Sequence, residues 1–297
     1  MTVDVVCIGP PFLDIVFRGL PRIPRAGEEV LASDVVMVPG GMANVAFALR
    51  QLGLDAVVCS PIGMDPAGRL LQELMAEAGV PWIGEPTDST SVSVALPIDS
   101  ERAFVTVQSD AGVDIDAIAA LAPRVVVVNL PLPGRMPSTP WIYGVVGDPQ
   151  VALLIENGPM RLTELRALFL NEREARDLTG ISDSVDAATE LAGHGCLVIV
   201  TRGANGAAAA TPDGRVLEAA AAVTEAQDTV GAGDLFTAAF IWADLLGRPV
   251  DGRLSLAAAY ASLSLAQPAP RQKGLTAAAF RDALAATAAP MDWLQEV

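Results

Sequence analysis

Positions 228–234 read DTVGAGD and run straight into an apolar stretch at 235–246, LFTAAFIWADLL. A loop of small residues opening a helix aims several backbone N–H groups, and the positive end of the helix dipole, at one point. That point suits a phosphate. Asp234 then places a carboxylate at the mouth of an anion site, where a negative charge is out of place unless it takes a proton. Anion cradle plus carboxylate is an arrangement for phosphoryl transfer: backbone dipoles hold the transferring group while the acid activates a hydroxyl. Composition offers a second account of the same letters. The chain holds 26 glycines and is rich in alanine, so GAG arises cheaply, and Asp is a favoured N-cap at any helix start. The segment by itself leaves the two accounts level.

Outward from this loop, strands alternate with helices. Apolar runs at 3–8, 56–60, 125–129, 141–146, 167–170 and 197–201 are nearly continuous, as in parallel strands buried on both faces. Helical periodicity fills 43–52, 66–78, 172–179 and 185–192. Asp65-Pro66 supplies an N-cap followed by proline at the first helical position, and Gly53 and Gly79 stand where C-terminal caps belong. This alternation predicts an α/β fold with helices on both faces of the sheet. Two regions, about 14–38 and 89–108, alternate with period two and carry no helix between them. SVSVALPI and RAFVTVQ read as a hairpin turning at DSER. Such strands form a small flap over the strand ends, where open α/β sheets bind ligands, or else two ordinary edge strands. From Asp234 onward the chain reads as mostly helical, without repeat or linker, so 1–297 is expected to be a single domain.

Composition narrows the function classes. With 297 residues, 52% hydrophobic and 18% charged, the chain has ample material for a buried core. No apolar run approaches the roughly 18 residues that span a bilayer. The N-terminal MTVDVVCIGP lacks a basic signal-peptide flank, so a cytoplasmic location is expected. A net charge of −16 argues against nucleic acid or an anionic membrane as partner. Cys7, Cys59 and Cys196 lie in or beside β-like runs and read as small core hydrophobes in a reducing compartment. The only histidine, His194, sits in a Gly-flanked turn, which disfavours a Ser-His-Asp triad or a histidine-rich zinc site. One lysine, Lys273, stands against 18 arginines, a skew that fits a GC-rich genome. No G-x-G-x-x-G follows the first strand, which disfavours a dinucleotide-binding dehydrogenase.

A second glycine-rich element, PGGMANVAFALRQLG, begins at Pro39. Gly40-Gly41 brings backbone close to a ligand at a helix start, and Asn44 offers a donor and an acceptor in the first turn. A glycine turn before an amphipathic helix explains the same letters. Taken with DTVGAGD, however, this element resembles the ribokinase (PfkB) family of sugar and nucleoside kinases. GMDPAG at 63–68, GDP at 147–149, NERE at 171–174 and VTRGANGA at 200–207 are similar to further family motifs in the same order, over nearly the whole chain. The resemblance implies a ribokinase-like three-layer α/β fold: a mostly parallel central sheet and a small β-strand lid formed by about 14–38 and 89–108.

The resemblance also implies roles. Asp234 is the general base, and the backbone of Gly231, Ala232 and Gly233 is the hole for charge developing on the γ-phosphoryl group. Asn171 and Glu174 resemble the pair that organises Mg²⁺ and phosphate, with Glu174 usually acting through water; the same spacing satisfies a capping box. Thr201, Gly203 and Gly206 would line the ATP side, where Gly206 also suits a tight turn. Asp14 at the end of the first strand, Gly40, Gly41 and Asn44 are the positions for acceptor hydroxyls, whereas Asp65 reads as a structural cap. Asp228 resembles a position that helps hold a monovalent cation, K⁺, in some members.

Three departures qualify this. In AAAYASLSL, Ser262 stands where many members face adenine with Asn. PAPRQKGLT replaces the usual G-A-x-x-x-x-P, which leaves cation dependence open. Met42 stands where phosphosugar members often carry lysine, favouring an uncharged acceptor, although Arg18, Arg22 and Arg25 on the flap could supply charge. The expected activity is ATP- and Mg²⁺-dependent phosphorylation of a primary hydroxyl on a small sugar or nucleoside. The alternatives are a ribokinase-like vitamin or pyrimidine kinase, which usually lacks the flap, and an inactive metabolite-binding homologue. A homodimer through the lid is the assembly the resemblance suggests.

Overall fold

The computed structural model describes residues 3–98, 101–109, 112–136, 140–157, 161–222, 230–267 and 273–287. Its strands are β1 (Val5–Ile8), β2 (Pro11–Arg18), β3 (Asp34–Gly41), β4 (Ala56–Cys59), β5 (Trp82–Ile83), β6 (Val92–Ile98) and β7 (Glu101–Val107). They continue with β8 (Val125–Asn129), β9 (Trp141–Val145), β10 (Ala167–Asn171), β11 (Leu197–Thr201), β12 (Ala207–Ala210) and β13 (Val216–Ala219). The helices are α1 (Met42–Gln51), α2 (Pro66–Glu77), α3 (Ile115–Ala120), α4 (Asp148–Asn157) and α5 (Glu172–Thr179). After them come α6 (Ser184–Ala192), α7 (Ala232–Leu245), α8 (Val250–Leu265) and α9 (Ala277–Ala286).

The apolar runs form one sheet in the order β13-β12-β11-β10-β9-β8-β1-β4-β5. From β5 to β11 every pairing is parallel, and β12 and β13 add an antiparallel edge. Alternate side chains feed two cores. Val5 and Cys7 pack with α1, α2, α7, α8 and α9, while Val6 and Ile8 pack with α3, α5 and α6 on the other face. Burial on both faces explains why these strands read as unbroken apolar runs. The three layers are those expected from the sequence.

The flap is a separate four-stranded sheet, β3-β2-β6-β7. It begins at Pro11 and not near Asp14, and the second strand pair returns to Gly41, with Pro11 opposite Gly41 in register. Asp14 is therefore not at the end of the first strand. The chain leaves the main sheet at Gly9, whose φ of +140° suits glycine, and Asp14 falls in β2 of the lid. A Cβ at Gly9 would lie 2.9 Å from the Asn129 Cβ, so the turn also has no room for a side chain. Asp65 caps α2 as read: its carboxylate accepts from the Gly68 N–H at 2.8 Å and from the Thr90 hydroxyl at 2.6 Å, tying α2 to the lid base.

Helix α7 is apolar on every side and buried from Leu235 to Asp244, as a helix inside a layer must be. Asp244 is the charged exception. The Tyr143 hydroxyl donates to its carboxylate at 2.5 Å, Arg166 donates at 2.6 and 2.8 Å, and Arg253 pairs with it at 3.0 Å. Arg166 also stacks on the Trp141 ring, 3.8 Å from its centroid. One buried carboxylate thus locks α7 to β9, to the approach of β10 and to α8. Removing it would strand two guanidinium groups, so Asp244→Ala is expected to cost about 3–5 kcal/mol in urea unfolding. A loss below about 1 kcal/mol would contradict this role.

Candidate active site

Two glycine-rich turns start the two helices that meet at the cleft. Gly41 precedes α1 with φ +56°, and a Cβ there would lie 2.6 Å from the Pro10 carbonyl and the Phe12 ring. Gly231 precedes α7 with φ +81°. Neither helix start has a side-chain cap, whereas Asp65, Asp114, Asn171, Asp183 and Thr276 cap α2, α3, α5, α6 and α9. The ladder of α7 begins with the Leu235 N–H bonding the Gly231 carbonyl at 3.0 Å. The amides of Ala232, Gly233 and Asp234 stay outside it and present the positive helix end to the cleft.

Asn44, in the first turn of α1, donates its amide to the Asp234 carboxylate at 3.0 Å. A Cβ at Gly231 would sit 3.6 Å from the Asn44 amide nitrogen and 3.9 Å from Asp234 Oδ2, so all three residues share one spot. The lid roofs it. On β2, Asp14, Val16 and Arg18 point to one face, joined in register by Val38 and Val36 of β3. These residues line a pocket with Asn44, Gly231 and Leu235. Gly40 makes room for the lid carboxylate, since a Cβ there would lie 2.0 Å from Asp14 Oδ2. The structure thus brings Asp14, Gly40, Gly41, Asn44, Gly231 and Asp234 together.

Asp14 and Asp234 are buried beside one another here, and Glu174 of α5 feels the charge of Asp234. Burial, together with the charge of Asp234, pushes Asp14 up to about 7. Loss of hydration lifts Asp234 to about 6, opposed by the Asn44 amide. Glu174 rises to about 7 through burial, against the pull of the Asn171 N–H. Asp234 also raises Glu174, so the two belong to one electrostatic neighbourhood. All three therefore hold their protons more tightly than a solvated carboxyl does.

Asn171 and Glu174 form a reciprocal capping box: the Glu174 N–H donates to the Asn171 side chain at 2.9 Å, and the Asn171 N–H to Glu174 Oε2 at 2.8 Å. Among the described residues no cluster of three or more His, Cys, Asp or Glu could cage a metal ion. Thr201 lies beside Asn171 in the β10–β11 register. Gly203 opens a short 3₁₀ turn that ends at Gly206, where a Cβ would lie 1.9 Å from the Ala219 carbonyl. Gly206 is therefore required by the turn. Ser262 is buried in α8, its hydroxyl donating to the Ala258 carbonyl at 2.7 Å and accepting from the Ala222 N–H at 3.2 Å. It is spent on the protein's own backbone. Asp228 lies outside the described residues.

Met42 is buried in the core and does not face the pocket. Arg22 turns to Glu28 at 2.5 Å, and of the three flap arginines only Arg18 lines the pocket. Two further residues have placements that nothing in their local sequence marks. Asn129, at the C-terminal end of β8 and beside Gly9, has a buried Oδ1 without a protein partner. Lys273 lines the pocket from the segment before α9.

Because Asp14, Asp234 and Glu174 have folded-state pKa values above their unfolded values near 4, the folded chain holds more protons between about pH 4 and 7. Their contribution is most favourable below about pH 4 and is lost as pH rises through about 7. The ligand-free protein is expected to melt at a lower temperature at pH 8 than at pH 5.5. Asp14→Asn should reduce that difference, and an unchanged pH dependence in calorimetry would contradict the shared-cleft electrostatics.

A model of the pfkB family carbohydrate kinases matches residues 4–116 and 160–276. The chain is 29% identical to the bifunctional protein HldE of Azorhizobium caulinodans, an alignment covering 96% of this chain and 65% of that longer protein. It is 28% identical to the ribokinase of Bacillus subtilis, over 88% of this chain and 92% of that one. Its fold superposes on the adenosine kinase of Sinorhizobium meliloti with a TM-score of 0.76 and 23% identity, covering 95% of this chain and all of that one. The family model covers well over half of the residues, and the chain belongs to the pfkB family of carbohydrate kinases.

Proposed function

We propose that the protein transfers the γ-phosphoryl group of ATP to a primary hydroxyl of a small sugar or nucleoside. The observation that carries this is Asp234, set in the first turn of the uncapped start of α7, where its carboxylate accepts the amide of Asn44, a residue that lines the lid pocket with Asp14. Asp14 and Asn44 orient the acceptor's hydroxyls. Asp234 takes the proton of the attacking hydroxyl as the new O–P bond forms. The amides of Gly231, Ala232 and Gly233 meet the charge on the phosphoryl oxygens, which is where this chemistry needs help. Val16, Val36, Val38 and Leu235 give the pocket an apolar middle that suits the face of a ring. Met42 is in the core, and the positive charge at the pocket comes from Arg18 and Lys273.

On the nucleotide side we assign Asn171, Thr201, Gly203 and Glu174, the turn at Gly206 serving to shape the loop. Mg²⁺, when bound, neutralises phosphate charge; the donor set suits an ion held mainly by phosphates and water, with Glu174 reaching it through water. The four-stranded lid favours this reading over a vitamin or pyrimidine kinase, and an intact Asp234 favours it over an inactive homologue. No helix among the described residues is long and apolar enough to cross a membrane. We read the chain as one cytoplasmic kinase unit whose partners are small molecules and not nucleic acid.

Asp234→Asn is expected to lower kcat by roughly 10²–10⁴-fold while ATP affinity changes little. In the wild type, kcat/KM should rise with pH through about 6 as Asp234 loses its proton. Near wild-type turnover in the variant would overturn the assignment.

We also propose a homodimer through the lid. The face opposite the pocket carries Ile15, Phe17, Val35, Met37, Val94, Val105 and Val107, with Val105 62% and Val107 66% exposed. An apolar sheet face of this extent calls for a cover. In sedimentation analysis the wild type should run at twice its chain mass and Val105→Asp at the single-chain mass. A monomeric wild type would contradict it.

A further inference from the structure

The resemblance brings a monovalent cation to the loop ahead of α7, and the residues present can be tested against one. The segment before α9 places Lys273, the only lysine in 297 residues, with its ammonium donating to the Val230 carbonyl at 3.1 Å. Val230 directly precedes Gly231, where the left-handed turn aims the α7 amides into the cleft.

The two residues after Lys273 are fixed. Gly274 has φ +149°, and a Cβ there would lie 3.3 Å from both the Phe47 ring and the Tyr260 hydroxyl oxygen. The Tyr260 hydroxyl donates to the Leu275 carbonyl at 2.9 Å, and the Leu275 N–H donates to Ser264 Oγ at 3.3 Å. Tyr260 and Ser264 are buried in α8. The ammonium is therefore delivered from a pinned backbone and not from a loose surface chain. Every other cationic side chain is arginine, whose planar fork pairs with carboxylates; a compact ammonium with three donors suits backbone carbonyls. A diffusible monovalent cation would bring the same charge to the same kind of oxygen.

We propose that Lys273 is a tethered cation that fixes the Val230–Gly233 loop and makes a diffusible K⁺ unnecessary. This rests on the kinase reading above, with Lys273 as a positioning residue that acts through the loop amides. ATP affinity by calorimetry, and turnover, would be measured in potassium, sodium and tetramethylammonium chloride at equal ionic strength. The wild type should vary less than twofold across the three salts. Lys273→Met should lose at least tenfold in both ATP affinity and turnover, and ammonium or K⁺ should restore a substantial part of each. Lys273→Arg, which keeps charge but not shape, should fall between them.

A wild type that weakens fivefold or more without K⁺ would overturn the proposal. So would a Lys273→Met protein that matches wild type, or one whose loss no added cation repairs. If Lys273→Met does not fold, the wild-type salt series and Lys273→Arg decide the matter. Absence of turnover on any acceptor would count against the kinase reading, whereas salt-independent ATP binding would still support the tethered cation.

Discussion

One hydrogen bond, from the Asn44 amide to the Asp234 carboxylate, joins parts of the chain 190 residues apart and sets the geometry of the cleft. It links the first turn of α1, which leaves the lid through β3, to the first turn of α7, which leaves the anion loop. Both helices give up a side-chain cap at this end, while five others in the fold keep theirs. Unsatisfied helix amides carry a cost that a bound anion removes. The same bond favours the charged form of Asp234 and opposes the rise in proton affinity that burial causes.

Such a cleft lowers stability locally, and the rest of the fold compensates. Buried carboxyl groups that feel the charge of Asp234 are unfavourable once ionised. Behind them, Asp244 gathers Tyr143, Arg166 and Arg253 into one buried network that holds α7 against sheet and neighbour helix. The start of α7 can therefore be charged and uncapped because its other end is locked. The apolar packing between α7 and α8 adds to this, with Phe240 set edge-on to Phe169 at 5.3 Å.

Much of this was legible in the residues. Strands buried on both faces must be apolar throughout, so the parallel sheet could be read directly. Caps such as Asp65 and the Asn171–Glu174 box follow short-range rules and were found where the letters placed them. The lid was visible as period-two alternation, but its start was not: Pro11, Phe12 and Leu13 are all apolar, so the letters do not alternate there, and Asp14 falls in β2 and not at the end of the first strand. Ser262 looked available because a one-dimensional pattern does not show that Ala222 and Ala258 already occupy its hydroxyl. Lys273 carried no signal, since it reaches the pocket only through tertiary placement. Composition alone accounts for a lone lysine, and only the folded chain brings its ammonium to the loop.

The central claim is that this cleft moves a phosphoryl group from ATP to a hydroxyl brought between Asp14 and Asp234. Phosphorus NMR of the wild type with Mg-ATP and a panel of sugars and nucleosides tests it most directly. The account predicts a new phosphomonoester resonance that grows in step with ADP for at least one acceptor. ATP that yields only inorganic phosphate, or that is left intact across the whole panel, would contradict it.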